Sequence, residues 1–434
     1  MTASGRGARR HPGRRPQGSR ARERERLLEA CRVAEPPSSC DVCVVGGGAA
    51  GLAACVAAAE AGASVTCLEA APEAGRTILA TGNGRCNLAN RDLSPRHYTH
   101  PDLVSRVMGA DATERVLRLF SECGLACVEE EGRLYPRSLQ AASVRDVLLA
   151  RARRSGALLA CARRALSAAR VGDAWRVSFR AEWEGGGERS LSCRSLVVAT
   201  GGVHRLPFEA EAGGRRLPLV DPEPVLCPLA CEADPSCEPR RAPSLLARLD
   251  GRRARCEATL LRAGEPVARE AGEVLFRPWG ISGIASLDLS RHAAAGDLVS
   301  LDLVPELRED EVARRLGALG ADRRDLEAAL AGLLDPEVAR ALLEVASEPG
   351  RLAALAKGLA LRVVGLAAPE RAQVMRGGVD AGALDADTLE VRGLPRLHAC
   401  GEAVDVDGAC GGYNLSWAWL SGLRAGAAAA RGAG

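Results

Sequence analysis

Residues 41–70 read DVCVVGGGAAGLAACVAAAEAGASVTCLEA: an apolar run, a glycine cluster, an alanine-rich stretch and a second apolar run that ends at Glu69. This order predicts strand, tight turn, helix and strand, with Gly46, Gly48 and Gly51 at the G-x-G-x-x-G positions. Gly46 makes the turn, Gly48 lets the backbone approach a pyrophosphate, and Gly51 lets the helix pack closely on the sheet. The helix that opens here points free N–H groups and its positive dipole end at the ligand, so an anionic ligand is expected. Glu69 follows the glycines by about 20 residues, where a carboxylate accepts a hydrogen bond from a ribose 2′-OH and repels a 2′-phosphate. The adenosine half therefore belongs to FAD or NAD, not NADP.

Downstream, residues 71–92 form a Gly-, Asn- and Thr-containing loop with three arginines, the kind of polar segment that contacts ligand beside a phosphate-binding unit. Residues 101–127 and a stretch from about Ser143 have helical patterning. Strand candidates near 158–161, 166–171, 175–183 and 190–193 suit an antiparallel meander. SLVVATGG at 195–202 predicts a buried parallel strand, and Thr200 and Gly201 lie at its carboxyl end, where ligands bind in α/β sheets. Residues 205–304 are Pro-rich and strand-like. Residues 305–369 have helical spacing, with Asp310, Asp322 and Asp335 as caps. In the last segment Gly401-Glu402 makes a turn and 411–414 open another helix N-terminus suited to an electron-rich group. The expected division is therefore an Arg-rich disordered extension at 1–38, a dinucleotide-binding domain at 39–204 and 370–434, an inserted β domain at 205–304 and a helical subdomain at 305–369.

Composition narrows the function classes. A chain of 434 residues with 47% hydrophobic residues builds two or three cored domains, and its net charge is only +3. Lys357 is the only lysine, so the arginine content reads as base-composition bias and not as a nucleic-acid signature. Residues 1–26 lack the apolar stretch of an export signal and read as a solvated extension in preference to a nucleic-acid arm. No run of about 18 apolar residues predicts a membrane span. Sixteen cysteines dispersed over a core-rich chain are expected as reduced thiols in cytoplasm. The Cys40/Cys43 pair overlaps a strand and has no partner pair, so zinc is not expected.

The segments VVGGGAAGL, ILATGNGRCNLAN, EEEGRLYP, VVATGG, GEVLFRPWGISG, MRGGV and GEAVDVDGACGGYNLSWAW follow one another between about residues 41 and 426. In this the chain resembles the two-dinucleotide-binding-domain flavoproteins. More closely it resembles the aminoacetone-oxidase-type and 3-dehydro-bile-acid-reductase-type FAD family. The resemblance implies an α/β protein with a Rossmann-like FAD-binding domain, an inserted β-barrel and a helical cap domain. It implies that Gly46, Gly48, Ala50 and Gly51 face the pyrophosphate and Glu69 the adenosine ribose. Arg76 and the loop carrying Gly84, Arg85, Cys86 and Asn87 would line the ribityl and flavin region, and Ala165 would pass the adenine. Gly401 and Glu402 would meet the ribityl chain or phosphate. Gly412, Tyr413 and Asn414 would present N–H groups near flavin N1 and O2, stabilising the anionic reduced flavin. The chain departs from the family at 203–216, which reads VHRLPFEAEAGGRR in place of a Gly/Ser/Thr-rich segment, and at Thr77, where lysine is common.

Cys86 and Cys410 are expected as small buried hydrophobes and not as a redox pair. The DVDG at 405–408 lacks the twelfth-position Glu of a calcium loop, so its aspartates are expected to organise the turn. Tyr413 as proton donor and Arg85 as substrate anchor stand beside cofactor-positioning roles for both. The chemistry expected is hydride transfer by the flavin, with NAD(P)H as a transient donor because a second G-x-G-x-x-G is absent. Reduction of an activated C=C bond in a ketone leads. Oxidation of a small amine or aminoketone by O₂ and a non-catalytic flavoprotein are the alternatives. The expected partner is a small molecule, with neither nucleic acid nor membrane.

Overall fold

The structure, a computed structural model, describes residues 17–33, 35–183, 185–202, 208–239, 243–318 and 322–433. Its centre is β1 (Ser39–Val45), whose Val42, Cys43, Val44 and Val45 are buried. Sandwiched between β2 (Val65–Glu69) and β9 (Glu188–Val198), and parallel to both, β1 shows the continuous apolar run of a doubly covered parallel strand. Helix α2 (Ala49–Glu60) crosses from β1 to β2, as the glycine pattern predicts. Before β1 comes α1 (Gln17–Cys31), a helix where a disordered extension was expected. It docks through the Cys31 thiol on the Pro72 carbonyl at 3.3 Å, and the Arg163 guanidinium contacts the Cys31 carbonyl at 3.5 Å. The remaining extension, residues 1–16 and 34, lies outside the described residues.

A small sheet follows, β3 (Ala89–Asn90), β4 (Cys127–Glu130) and β5 (Arg133–Pro136), in the order β3-β5-β4. Helices α3 (Pro101–Met108) and α4 (Ala112–Glu122) intervene where the pattern suggests one helical region, because Gly109 at φ 73° ends the first. Helix α5 (Ala141–Arg154) leads to β6 (Leu158–Cys161), parallel to β2. Strands β7 (Arg163–Val171), β8 (Ala174–Ala181) and β9 form the antiparallel meander. The two strand candidates at 190–193 and 195–198 are one strand. Its Arg194 side chain stays 59% exposed between buried Cys193 and Ser195, which is period-two alternation and not a break. The divergent segment forms an edge hairpin, β10 (Glu209–Ala212) and β11 (Arg215–Arg216), with β10 laid parallel on β7. Residues 203–207 of that segment lie outside the described residues.

Strand β12 (Leu219–Val225) leaves this lobe. A closed barrel follows, in the order β13-β16-β15-β14-β17-β18. Its strands are β13 (Leu229–Ala233), β14 (Arg253–Arg262), β15 (Glu265–Arg277), β16 (Gly280–Ser282), β17 (Leu298–Asp302) and β18 (Leu359–Leu366), with α6 (Leu245–Arg248) and α7 (Ile284–Leu289) in its connections. Between β17 and β18 run α8 (Glu309–Ala318), α9 (Arg323–Ala331), α10 (Pro336–Val345) and α11 (Pro349–Lys357). Two boundaries of the expected division therefore move. Residues 359–366 are not helical but the strand that closes the barrel, and 209–216 belong to the first lobe. Asp322 and Asp335 cap α9 and α10 by accepting backbone N–H bonds, whereas Asp310 sits inside the first turn of α8.

The chain returns through β19 (Val374–Val379), antiparallel to β12, and β20 (Leu397–Ala399), parallel to β9. It then enters α12 (Tyr413–Ala433). Helix α12 lies directly on α2. A Cβ on Gly422 or Gly426 would stand 2.3 Å from Ala50 O or 2.2 Å from Ala54 O, so glycine permits the approach. Among the described residues no helix is long and apolar enough to cross a membrane.

Candidate functional site

The first cradle is set by main-chain packing. Gly46 turns at φ 102°, and a Cβ there would meet Ala199 O at 2.3 Å. A Cβ on Gly51 would meet Gly46 O at 1.8 Å. Gly48 differs, because the nearest atom to its notional Cβ is Thr77 Oγ1 at 3.4 Å, which leaves its backbone open to a ligand. No side chain caps α2, so the N–H groups of its first turn remain for an anion. Glu69 is held at the end of β2 by N–H bonds from Gly47 and Ala71, both at 2.6 Å, one to each oxygen. Lone pairs remain on both oxygens for a ribose hydroxyl. Ala165 lies on β7, whose preceding residue Ala162 donates its N–H to Ala71 O at 2.8 Å, placing this strand beside the Glu69 turn.

The loop after β2 is tightly wound, with φ of 54° at Gly82 and Asn83, 86° at Gly84 and 57° at Cys86. Cys86 is buried, and burial pushes its thiol up to about 11. The Asn87 side-chain oxygen is buried without a hydrogen-bond partner among the described residues, a vacancy that a polar ligand edge would fill. Gly84 has open space beside it, and Arg76 is exposed. Arg85 turns away. Its guanidinium bonds Glu130 at 2.5 Å and lies 4.4 Å from the Tyr135 ring centroid. The structure thus ties Arg85 to the β4–β5 hairpin and does not offer it as a substrate anchor.

The second cradle comes from 401–414 and touches the first. A Cβ on Gly401 would meet the Ala50 Cβ at 2.5 Å. Burial pushes the Glu402 carboxyl up to about 7, against a backbone hydrogen bond from Gly202. Thr200 and Gly201 therefore end β9 beside Glu402, with Gly201 at φ 72°. Asp405 accepts the Gly377 N–H at 2.8 Å. Asp407 is fully buried between Arg291 Nε and Arg376 Nε, each at 2.7 Å. Burial opposes its ionisation, yet the two guanidinium groups hold its carboxyl below the usual range.

Asn414 staples its own loop. Its side-chain oxygen accepts the Gly408 N–H and its amide donates to the Gly408 carbonyl, both at 2.8 Å. Only its main chain is left for a cofactor. A Cβ on Gly412 would meet Ala89 O at 2.6 Å, which presses this loop onto β3 and joins it to the loop carrying Asn87. The Tyr413 ring packs 4.6 Å from His97 and edge-on to Tyr98 at 5.7 Å. Burial pushes its phenol up to about 12, so it is a neutral donor at neutral pH.

Sequence reasoning missed the groups that the barrel lobe contributes. Asp288 on α7 accepts the Cys410 N–H at 2.6 Å. Burial pushes its carboxyl up to about 7. Burial raises Glu270 as well, and burial together with Asp288 raises the Cys410 thiol well above the thiol range. The only available signal was an acid at the end of the GISG segment, and nothing in the chain order links it to residue 410. The open Gly48 backbone, the orphaned Asn87 oxygen and the helix N-terminus of α12 fit an extended dinucleotide such as FAD.

Residues 40–428 match the HI0933-like protein Rossmann domain, and the chain belongs to that family. It is 32% identical to the 3-dehydro-bile acid delta(4,6)-reductase of Clostridium scindens, over 89% of this chain and 98% of that protein. It is 26% identical to the ribosomal RNA dihydrouridine synthase of Escherichia coli, over 88% of this chain and 96% of the relative. Among solved structures it is similar to the 3-ketosteroid-delta4-(5alpha)-dehydrogenase of Rhodococcus jostii RHA1. That match has 16% identity and a TM-score of 0.44, and covers 92% of this chain and 99% of that one.

Proposed function

We propose that the chain is an FAD-dependent oxidoreductase that reduces a C=C bond conjugated to the carbonyl of a small ketone, with electrons supplied by NAD(P)H. The observation that carries this reading is the near full-length similarity to the Clostridium reductase. When bound, FAD supplies the hydride. The backbone at Gly46, Gly48 and Gly51 would hold its pyrophosphate, Glu69 its adenosine ribose, and Asn87 a polar edge of the flavin end. The N–H groups at Gly412, Tyr413 and Asn414 would oppose negative charge on the pyrimidine side. Saturating the bond also needs a proton at the carbon next to the carbonyl. Asp288, a buried acid that accepts the Cys410 N–H, and the neutral Tyr413 phenol are candidate donors at the second cradle. The dispersal of sixteen cysteines over a core-rich chain supports a reducing, cytoplasmic setting.

The ribosomal RNA relatives favour a second reading, in which the C=C bond belongs to a uridine ring. The bond type is shared, because in uridine it is again conjugated to a carbonyl. An absorption spectrum of the purified protein, followed by anaerobic NADH and then NADPH, tests the first step. A yellow protein that bleaches and is reoxidised by an enone supports the proposal. Reoxidation by uridine-containing ribosomal RNA but not by enones moves the substrate to RNA, O₂ uptake driven by an amine replaces reduction with oxidation, and a colourless protein overturns the flavin assignment.

A further inference from the structure

The helix ahead of the Rossmann domain ends against the turn that follows Glu69. Side chains 21–26 of α1 are exposed, Leu27 and Leu28 are half-buried and Cys31 is buried, so the helix docks through its last turn. The Cys31 thiol donates to Pro72 O at 3.3 Å. Ala71, next to Pro72, gives its N–H to Glu69 at 2.6 Å and accepts the Ala162 N–H at 2.8 Å. Arg163 closes the ring, since its guanidinium donates to Cys161 O at 3.2 Å and to Cys31 O at 3.5 Å. Three segments distant in sequence are thus tied together beside the carboxylate assigned to the adenosine ribose.

Two features show that this knot is held under constraint. Ala162 is buried at φ 55°, a strained conformation for a residue with a Cβ, which persists only where its surroundings fix it. Arg163 is 1% exposed, and a guanidinium so buried needs its partners kept in place. Glu35 supplies one of them at 3.5 Å, and the Trp183 ring centroid lies 4.0 Å from the guanidinium carbon. Arg32 packs over the same ring at 5.9 Å. Cys31, Arg32 and Glu35 all stand ahead of residues 40–428, so the contacts reach the Rossmann domain from outside its matched span.

We infer that α1, with Arg32 and Glu35, is a clasp on the adenosine end of the cofactor site, and that Cys31 and Arg163 are positioning residues for Glu69. Without the clasp Arg163 loses acceptors in a place that water does not reach, and it must swing outward. The Ala162 corner then relaxes, its bond to Ala71 weakens, and Glu69 loses the N–H that fixes one of its oxygens. The inference rests on the dinucleotide reading of the first cradle and is independent of what the flavin reduces.

The test titrates the full-length protein, freed of bound flavin, with FAD, ADP and riboflavin, the last of which lacks the adenosine half. Two variants are compared with wild type: the full-length double substitution Cys31→Ala with Glu35→Gln, and a chain lacking residues 1–35, which leaves β1 whole. FAD and ADP affinities are expected to fall about threefold in the first and about tenfold or more in the second, with riboflavin unchanged within about twofold. Cys31→Ser, which keeps a donor for Pro72 O, should bind as wild type does. Circular dichroism checks folding, and if the shortened chain fails to fold the double substitution decides. FAD and ADP affinities within about twofold of wild type in the folded variants overturn the clasp, as does an equal weakening of riboflavin, which marks general loosening. A wild type that binds ADP with the expected losses in the variants but takes up no flavin keeps the clasp and removes the FAD reading. Flavin uptake with ADP and FAD affinities indifferent to both variants does the reverse.

Discussion

The N-termini of α2 and α12 both follow glycine loops, yet they are built by different forces. At α2 the constraint is mainly steric, because Gly46 is hemmed in by the main chain of Ala199 and Gly51 by that of Gly46, with Glu69 accepting the Gly47 N–H beside them. At α12 the loop is tied by Asp407 to Arg291 and Arg376, by Cys410 to Asp288 and by Gly412 to Ala89, partners drawn from distant segments and from the other lobe. Glycine spacing therefore specifies the first turn. The second holds its shape only when the lobes are assembled.

The strongest way to break this contrast is Gly51→Ala. Its Cβ would lie 1.8 Å from Gly46 O and 2.9 Å from Gly46 C, main-chain atoms with no flexible side chain to yield. A loss of more than about 4 kcal/mol is expected in denaturant unfolding, with no flavin retained. Gly48→Ala should keep the fold and lose only cofactor affinity, and equal stability losses in the two variants would show that the cradle is not steric. Next comes Asp407→Ala, which takes the carboxylate from Arg291, 8% exposed, and leaves Arg376, 24% exposed, with Glu223 alone as its acid. A cost of about 3–5 kcal/mol is expected, and a loss below about 1 kcal/mol would mean that the ion pairs do not hold the α12 loop.

The smallest effect is a pH slope. The Asp288 carboxyl titrates at about 7 when folded, against an ordinary value of 3.8. Between those values the folded protein binds more protons than the unfolded chain, so this group's contribution is complete at low pH and is lost as pH rises through about 7. Melting temperatures measured across this window should fall less steeply in Asp288→Asn than in wild type. Parallel curves would place Asp288 in a wetter setting than the α12 loop requires.

The same contrast explains what could be read in the chain. The β1–α2–β2 unit and Glu69 were legible because the glycines, the helix and the carboxylate lie within one stretch, although Ala199 closes over Gly46 from far along the chain, and the caps Asp322 and Asp335 because a cap acts within a few residues. Helix α1 was not legible, because its Arg- and Glu-rich composition reads as unfolded while its docking depends on Arg163, far along the chain. Strand β18 was hidden behind four helices, although its Val363-Val364 pair is β-branched. In the site, Glu402 and the glycines were legible. Asp288 was not, since its place beside Cys410 exists only through long-range closure. The contacts of Arg85 with Glu130 and Tyr135 were not legible, because the β4–β5 hairpin that supplies both lies far along the chain.

The glycine-mediated contact of α12 on α2 carries a consequence for synthesis on the ribosome. Residues 49–60 emerge early with an alanine-rich face, and the helix that covers it, with the Gly401 turn that completes the cradle, is translated only after the whole barrel. A nascent chain must carry that bare face, and an unfinished anion site, through most of its elongation. Contacts so distant in sequence form slowly, and apolar surface left waiting invites aggregation. The cradle is therefore completed only once α12 has been made, and slowing translation after the barrel should lengthen dependence on chaperones without changing the final fold.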